Sequence, residues 1–321
     1  MHTIRDKRIV LFGGTGFLGR ELAVRLANGG AYVTVAARHP QRSRILMVLP
    51  RVNLRRGDVR DAAFVESVLA GQDAVVNLVG ILDGSPKRMR ALHVDWPARL
   101  AQAGAGLSRL VHVSAAGADP QGASLYLRTK GEGENRIHAA RAPWTVIAPS
   151  AMFGPGDSFF NRFAMLLRLS PGIMPVVRPQ ARFTPVYVED VAEAIARVLL
   201  RDDLAGEHLQ FGGPQTWAMR EILVYIREQI RVRRLLLDLP DGLAKMQGIA
   251  MSLLPGKPFS LDQFRTLTVD SIADTGDFAL LGIKPSGVRA IVPQYLGKGR
   301  RQERFDRFRR KSDGAPISTS S

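Results

Sequence analysis

A chain of 321 residues with 45% hydrophobic and 23% charged residues has the composition of a folded protein, large enough for one main α/β domain and an appended lobe. The absence of cysteine excludes disulfides, a thiolate nucleophile and thiolate-bound metal. Six histidines without an HxxxH or HExxH spacing give no ground for a metal site. The formal net charge of +16 suits an anionic membrane surface or an acidic partner; no nucleic-acid motif accompanies it, so no nucleic acid is expected.

The first eight residues are polar and lead straight into an apolar strand, without the apolar core and cleavage site of a secretory signal. No stretch approaches the roughly 20 apolar residues of a membrane span, so a cytoplasmic location is expected. Arg8–Phe12 predicts a buried strand ending in glycines. Leu18, Leu22 and Leu26, four apart, predict a helix over 17–27. Further strands are expected over 31–36, 52–56, 73–79, 109–114 and 144–148, with helices over 63–69, 93–104 and 127–140. Runs that are apolar through both faces belong to a parallel sheet covered by helices. The fold class is therefore α/β, a Rossmann-type doubly wound parallel sheet whose ligands bind beyond the carboxyl ends of the strands.

After Pro149 the pattern loosens into helices over 159–169, 189–200 and 219–229 among Pro/Gly-rich loops. The expected organisation is a dinucleotide-binding Rossmann domain over 1–150, then a smaller C-terminal α/β substrate lobe with closing sheet elements over 151–297. A basic, disordered tail over 298–321 completes it. The stretch 241–254, rich in Met and Leu, predicts an amphipathic helix facing the core of the lobe or, alternatively, a membrane or a partner. The tail sets Phe305 and Phe308 among arginines, a composition that suits an anionic bilayer.

The strongest motif is Gly13-Gly14-Thr15-Gly16-Phe17-Leu18-Gly19, between the first strand and the first helix. There the glycines allow a tight turn, close approach of a pyrophosphate and close helix–strand packing, and the helix N-terminus offers free N–H groups to phosphate. Gly13, Thr15, Gly16, Phe17, Leu18 and Gly19 are thus candidate cofactor contacts. The second strand ends Ala36-Ala37-Arg38-His39. It lacks the carboxylate that would bond the ribose 2′-OH of NAD, and Arg38 is placed to pair with a 2′-phosphate. Arg42 and Arg44 are possible helpers. NADP(H) is the expected cofactor, with NAD(H) the alternative. Asp58 and Val59 are candidates for the adenine side, Asp58 having a second reading as a helix N-cap. Asn77, Val79 and Gly80, ending the fourth strand, are candidates for the ribose and nicotinamide side.

Tyr126 and Lys130 stand four apart, on one helix face. A lysine ammonium beside a phenol would lower its pKa, and Ser114, ending the fifth strand, would orient a substrate oxygen. Ser114, Tyr126 and Lys130 are the candidate catalytic residues, and Lys130 also a ribose contact. Phe153, Phe159, Phe160 and Phe183 are read as core or as the roof of a pocket.

The glycine loop, Asp58, Asn77, Ser114, Tyr126 with Lys130, Pro149-Ser-Ala-Met-Phe-Gly-Pro-Gly-Asp157 and Pro185-Val-Tyr-Val-Glu-Asp-Val191 together resemble the extended or atypical short-chain dehydrogenase/reductase family. Within it, GGTGFLG, NLVGIL, SLYLRTKGEGE and the ending Gly282-Ile-Lys-Pro…Val292-Pro-Gln-Tyr-Leu296 are most similar to the NADPH-binding accessory subunit of respiratory complex I and its bacterial relatives. This resemblance implies a protein associated with the quinone-using respiratory chain whose cofactor is structural or sensory. Peripheral attachment at the inner face of the cytoplasmic membrane would follow. The alternative is an active NADPH-dependent reductase or epimerase acting on a quinone precursor, an isoprenoid or a sugar nucleotide. The family pattern is departed from in three places: the short gap between Ser114 and Tyr126, Ala148 in place of an arginine, and His93 where the family commonly has Asn.

Overall fold

The computed structural model describes residues 3–240, 242 and 260–296. The tail at 298–321 and, apart from residue 242, the amphipathic stretch at 241–254 lie outside them. The first half alternates in chain order as β1 (Arg8–Phe12), α1 (Phe17–Asn28), β2 (Tyr32–Ala37), α2 (Arg44–Met47), β3 (Val52–Arg56), α3 (Ala62–Leu69) and β4 (Ala74–Asn77). It continues with α4 (Pro86–Arg90), a π-helical turn (Ala91–Asp95), α5 (Trp96–Ala103), β5 (Arg109–Val113), α6 (Leu125–His138) and β6 (Trp144–Pro149). Next come β7 (Met152–Phe153), α7 (Phe160–Leu169), β8 (Ile173–Val176), β9 (Arg182–Phe183), β10 (Val186–Tyr187) and α8 (Val188–Val198). The chain then forms β11 (Glu207–Phe211), β12 (Trp217–Ala218), α9 (Met219–Gln229) and β13 (Leu235–Asp238). Short helices at Leu261–Thr266, Gly276–Leu280 and Val288–Tyr295 follow.

Seven strands form one sheet in the order β3-β2-β1-β4-β5-β6-β11, every pair parallel. The order reverses at β1, so the crevice beyond the carboxyl ends of β1 and β4 is where a doubly wound sheet receives its ligand. Helices α1 and α8 cover one face through Leu18, Leu22, Leu26, Val191, Ile195 and Val198. The other face is covered by Val65 and Val68 of α3, Trp96 and Leu100 of α5, and Ile137 of α6. Both α8 and β11 come from sequence beyond residue 150, so the chain leaves the sheet after β6 and returns to complete it.

The small lobe has its own core, built on Phe153, Phe160, Leu167, Phe183, Trp217, Ile222 and Ile226. Phe153, Phe160 and Phe183 are buried in it and Phe159 packs on it, so these aromatics form core. The lobe is pinned from two directions. Asp157 accepts from the backbone N–H groups of Gly154, Phe159 and Asn161 and from the Tyr295 hydroxyl at 2.8 Å, which ties the Pro149–Asp157 stretch to the C-terminal Val-Pro-Gln-Tyr stretch. Ser271 returns its carbonyl to Thr184 N–H at 3.1 Å and to Ser150 Oγ at 2.5 Å.

Candidate dinucleotide site

The glycine loop lies at the switch in strand order. Gly13 has φ +83°, and a methyl group on it would stand 3.0 Å from the backbone C and O of Leu78. Only glycine lets this turn cross the end of β4 so closely. A methyl group on Gly19 would stand 2.5 Å from Cα of Gly14 and 2.6 Å from the carbonyl oxygen of Gly13, so α1 packs directly on the loop. Gly16 is the N-cap of α1 and supplies no side-chain cap, leaving the helix start to an outside anion. Thr15 is half-buried and Gly16 exposed. Leu18 sends its side chain into the core, so only its backbone faces the loop. Phe17 packs toward the lobe, its Cζ 3.4 Å from where a Gly154 methyl would stand.

Arg20 is a site candidate that sequence reasoning missed. One of its guanidinium nitrogens reaches the Thr15 carbonyl at 3.5 Å, and the other lies 3.8 Å from the Cβ position of Gly156. It is a cation at the mouth of the loop. Its position directly after Gly19 was the available signal.

At the far side of the crevice, Arg38 is exposed beyond the end of β2. The Asp58 carboxylate accepts two hydrogen bonds from the Arg60 guanidinium, at 3.0 and 2.7 Å, and a third from the Arg60 backbone N–H at 3.0 Å. Bonding to Arg60, with Arg38 nearby, keeps the Asp58 carboxyl below the usual carboxylate range. The N-cap of α3 is Asp61, which accepts from Phe64 N–H at 3.2 Å. The capping reading of Asp58 is therefore corrected to Asp61. Val59 is half-buried and packs against the core on the α3 side.

Asn77 is fully buried, and its side chain is committed to the fold. Its Oδ1 accepts from Val79 N–H at 3.1 Å and Trp96 Nε1–H at 2.9 Å, and its Nδ2 lies 2.9 Å from His112 Nδ1. It shapes the strand end and offers no free polar atom to a ligand. Val79 is half-buried and Gly80 exposed. A methyl group on Gly80 would lie 3.7 Å from His93 Nε2 and 4.0 Å from Lys130 Nζ, so Gly80 opens onto those two groups.

Two features differ from the expected catalytic arrangement. Lys130 Nζ donates to the carbonyl of Val113 at 2.7 Å, tying α6 to β5. Burial lowers its pKa to about 8, opposed by Glu134. Burial also pushes the Tyr126 phenol up to about 12, the reverse of the depression expected from a neighbouring ammonium. The correction has a simple cause. Sharing a helix face brings two Cβ atoms together, but the flexible lysine arm is taken by a backbone carbonyl, and desolvation then dominates the phenol.

His93, on the π-helical turn, faces the Tyr126 ring edge-on with centroids 5.8 Å apart. Its Nε2 accepts from Ile81 N–H at 3.0 Å and its Nδ1 lies 2.9 Å from Thr129 Oγ1. The hydrogen-bond pattern thus puts the ring proton on Nδ1. Burial and then Lys130 lower its pKa to about 3, so the ring is a neutral spacer. Asp262 was also missed, and no local signal marks it. Its carboxylate accepts from the N–H groups of Leu125 at 2.7 Å and Tyr126 at 3.1 Å, capping α6 from the far end of the chain.

The residues fit a dinucleotide on two observations. The start of α1 has no side-chain cap, and the buried Ser114 Oγ has no hydrogen-bond partner among the described residues. Buried hydroxyls are nearly always partnered, so Ser114, at the end of β5, is suited to a ribose or nicotinamide group.

Comparison with known proteins agrees. Residues 13–160 match the NAD(P)H-binding family. The chain is 29% identical to the mitochondrial NADH-ubiquinone oxidoreductase 40 kDa subunit of Neurospora crassa, over 92% of this chain and 80% of that protein. It is 28% identical to the mitochondrial NADH dehydrogenase [ubiquinone] 1 alpha subcomplex subunit 9 of Arabidopsis thaliana, over 89% and 76%. The fold matches UDP-glucuronic acid 4-epimerase from Bacillus cereus, solved with UDP-glucuronic acid and NAD, with a TM-score of 0.71 at 17% identity over 90% and 99% of the two chains. Residues 13–160 thus match the NAD(P)H-binding family, and the proteins that the chain is similar to along most of its length include subunits of NADH-ubiquinone oxidoreductase.

Proposed function

We propose that the protein holds NADP(H) as a structural or sensory element of the quinone-linked respiratory chain and does not turn it over. The observation that carries this reading is the state of Tyr126 and Lys130: the ammonium is drawn to the Val113 carbonyl, to which it gives one of its three N–H groups, and burial pushes the phenol up to about 12. A tyrosine that exchanges protons near neutral pH needs the opposite shift. The names of the relatives, which are subunits of NADH-ubiquinone oxidoreductase, support an assembly role for this chain too.

The cofactor would be held at the loop Gly13, Thr15, Gly16, Phe17, Leu18 and Gly19, chiefly through backbone N–H groups, with Arg20 beside the phosphates. Ser114, Val79 and Gly80 would border its nicotinamide end. Lys130 would offer its ammonium to ribose hydroxyls alongside the Val113 carbonyl. The exposed Arg38, with no carboxylate at the end of β2, supports NADP(H) over NAD(H). Bound there, the nicotinamide supplies a hydride donor or acceptor; the chain's own groups position it. The basic tail would help to keep the protein at the inner face of the cytoplasmic membrane.

The test is fractionation under mild detergent. The protein, and equally its Tyr126→Phe variant, is expected to co-purify with NADH-ubiquinone oxidoreductase activity. A protein that separates cleanly from every respiratory complex would refute the assembly role. A second reading, an NADPH-dependent reductase or epimerase, is favoured by the free Ser114 hydroxyl. It requires a turnover that Tyr126→Phe abolishes.

A further inference from the structure

The small lobe presents a group of exposed apolar side chains on α7, β8 and β13. Strands β8 and β13 form a two-stranded parallel ribbon in which Ile173 stands opposite Leu235 and Pro175 opposite Leu237. Successive side chains of a strand point to opposite faces. Met174, Val176 and Leu236 accordingly enter the lobe core, and Ile173, Leu235 and Leu237 face outward, 52%, 62% and 50% exposed. Met165 and Leu169, one turn apart on α7, are likewise exposed. Arg234 joins the two parts, donating to the carbonyls of Leu167 at 3.1 Å and Arg168 at 3.4 Å. Leu235 N–H bonds the Gly172 carbonyl at 2.9 Å, which brings the start of β13 against the α7–β8 turn. Single exposed aliphatic residues are ordinary; a contiguous group of them marks a contact surface.

The charge around this surface is one-sided. Segments 160–176 and 227–238 carry six arginines against two carboxylates, Glu228 and Asp238, and Asp238 is already paired with Arg220. Arg168 and Arg233 are exposed beside the apolar residues.

We propose that this face of the lobe docks on an anionic lipid bilayer. Its aliphatic side chains enter the boundary of the acyl chains, and its arginines meet lipid phosphates. A second copy of the chain is the wrong occupant, because a two-fold contact would set one arginine rim against the other. A protein partner is the weaker fit: no exposed aromatic anchor stands among Met165, Leu169, Ile173, Leu235 and Leu237, and Trp and Tyr are leading anchors of protein interfaces. The inference deepens the membrane-side part of the proposed function. It stands on the lobe surface alone and does not depend on what the cofactor does.

The test is flotation of the full chain with phosphatidylcholine vesicles and with vesicles containing phosphatidylglycerol. The protein floats with the anionic vesicles, and Leu235→Glu/Leu237→Glu lowers the bound fraction by roughly tenfold or more. The variant keeps its thermal midpoint and dinucleotide content, since both side chains face outward. If the glutamate pair impairs folding, Leu235→Ser/Leu237→Ser is read the same way. Failure of the wild type to float, or flotation of the folded variant as well as the wild type, overturns the proposal. Loss of dinucleotide with flotation unchanged in the wild type counts against the cofactor reading alone.

Discussion

Gly16→Ala separates a glycine loop that cradles a ligand from one that merely turns. Gly16 sits at φ −71° and ψ −178°, a conformation open to alanine. A methyl group there meets only the Gly13 carbonyl oxygen, at 3.2 Å, which a shift of a few tenths of an ångström relieves. The unfolded chain loses some freedom, a gain of about 0.4–1 kcal/mol that opposes the crowding. Net stability is expected to change by less than about 1 kcal/mol, or about 2–4 °C in thermal midpoint for a domain of this class. The same methyl group occupies the space into which a pyrophosphate must come to reach the N–H groups of α1. Loss of even one charge-assisted hydrogen bond, about 1.5–3 kcal/mol, lowers affinity about 10- to 100-fold. The assay pairs NADPH fluorescence titration with thermal unfolding of the same sample. Gly16→Ala with unchanged NADPH affinity and unchanged stability would refute the placement of the phosphates. Gly19→Ala is the control: its methyl group collides with backbone, and it is expected to lower stability and affinity together.

Arg38→Ala should reduce the preference for NADPH over NADH about 10- to 100-fold, read by parallel titrations; an equal effect on both cofactors removes Arg38 from phosphate recognition. Asp262→Ala leaves the Ser124 cap of α6 in place but removes the acceptor of the Leu125 and Tyr126 N–H groups, and should cost about 0.5–2 kcal/mol in urea unfolding; no measurable loss would show that this contact is idle. His93 makes stability depend on acid. Its pKa of about 3 in the folded chain, against the ordinary 6.5, gives a contribution present above pH 6.5 and lost as pH falls toward 3, at roughly 1.4 kcal/mol per pH unit. His93→Asn should flatten that limb, and an identical pH profile for the variant would show that His93 does not titrate as its burial requires.

The central sheet was legible because its strands are apolar through both faces and are separated by glycine loops and amphipathic helices. What escaped did so for physical reasons. β11, Glu-His-Leu-Gln-Phe, is an edge strand with Leu209 and Phe211 inward and Glu207, His208 and Gln210 exposed; its alternation carries too little apolar signal to stand out beside Pro/Gly-rich loops. The helix α4 was visible in principle, since Ser85 caps Arg88 N–H and Pro86 takes the first helical position. The π-helical turn that presents His93 was not, because its extra residue leaves no compositional trace. At the site, periodicity correctly put Tyr126 and Lys130 on one helix, but their acidities depend on the Val113 carbonyl and on burial, which only the folded neighbours supply. Asp262, 136 residues from the Tyr126 N–H it accepts, reaches the site through tertiary structure alone.

The most direct measurement is to purify the protein under mild conditions, denature it, identify any released dinucleotide and its redox state, and repeat after incubation with cell extract. The expected result is NADP(H) in stoichiometric amount, with its redox state unchanged by the extract. Loosely held cofactor that the extract oxidises would contradict the assignment of a structural or sensory role and point instead to turnover at Tyr126.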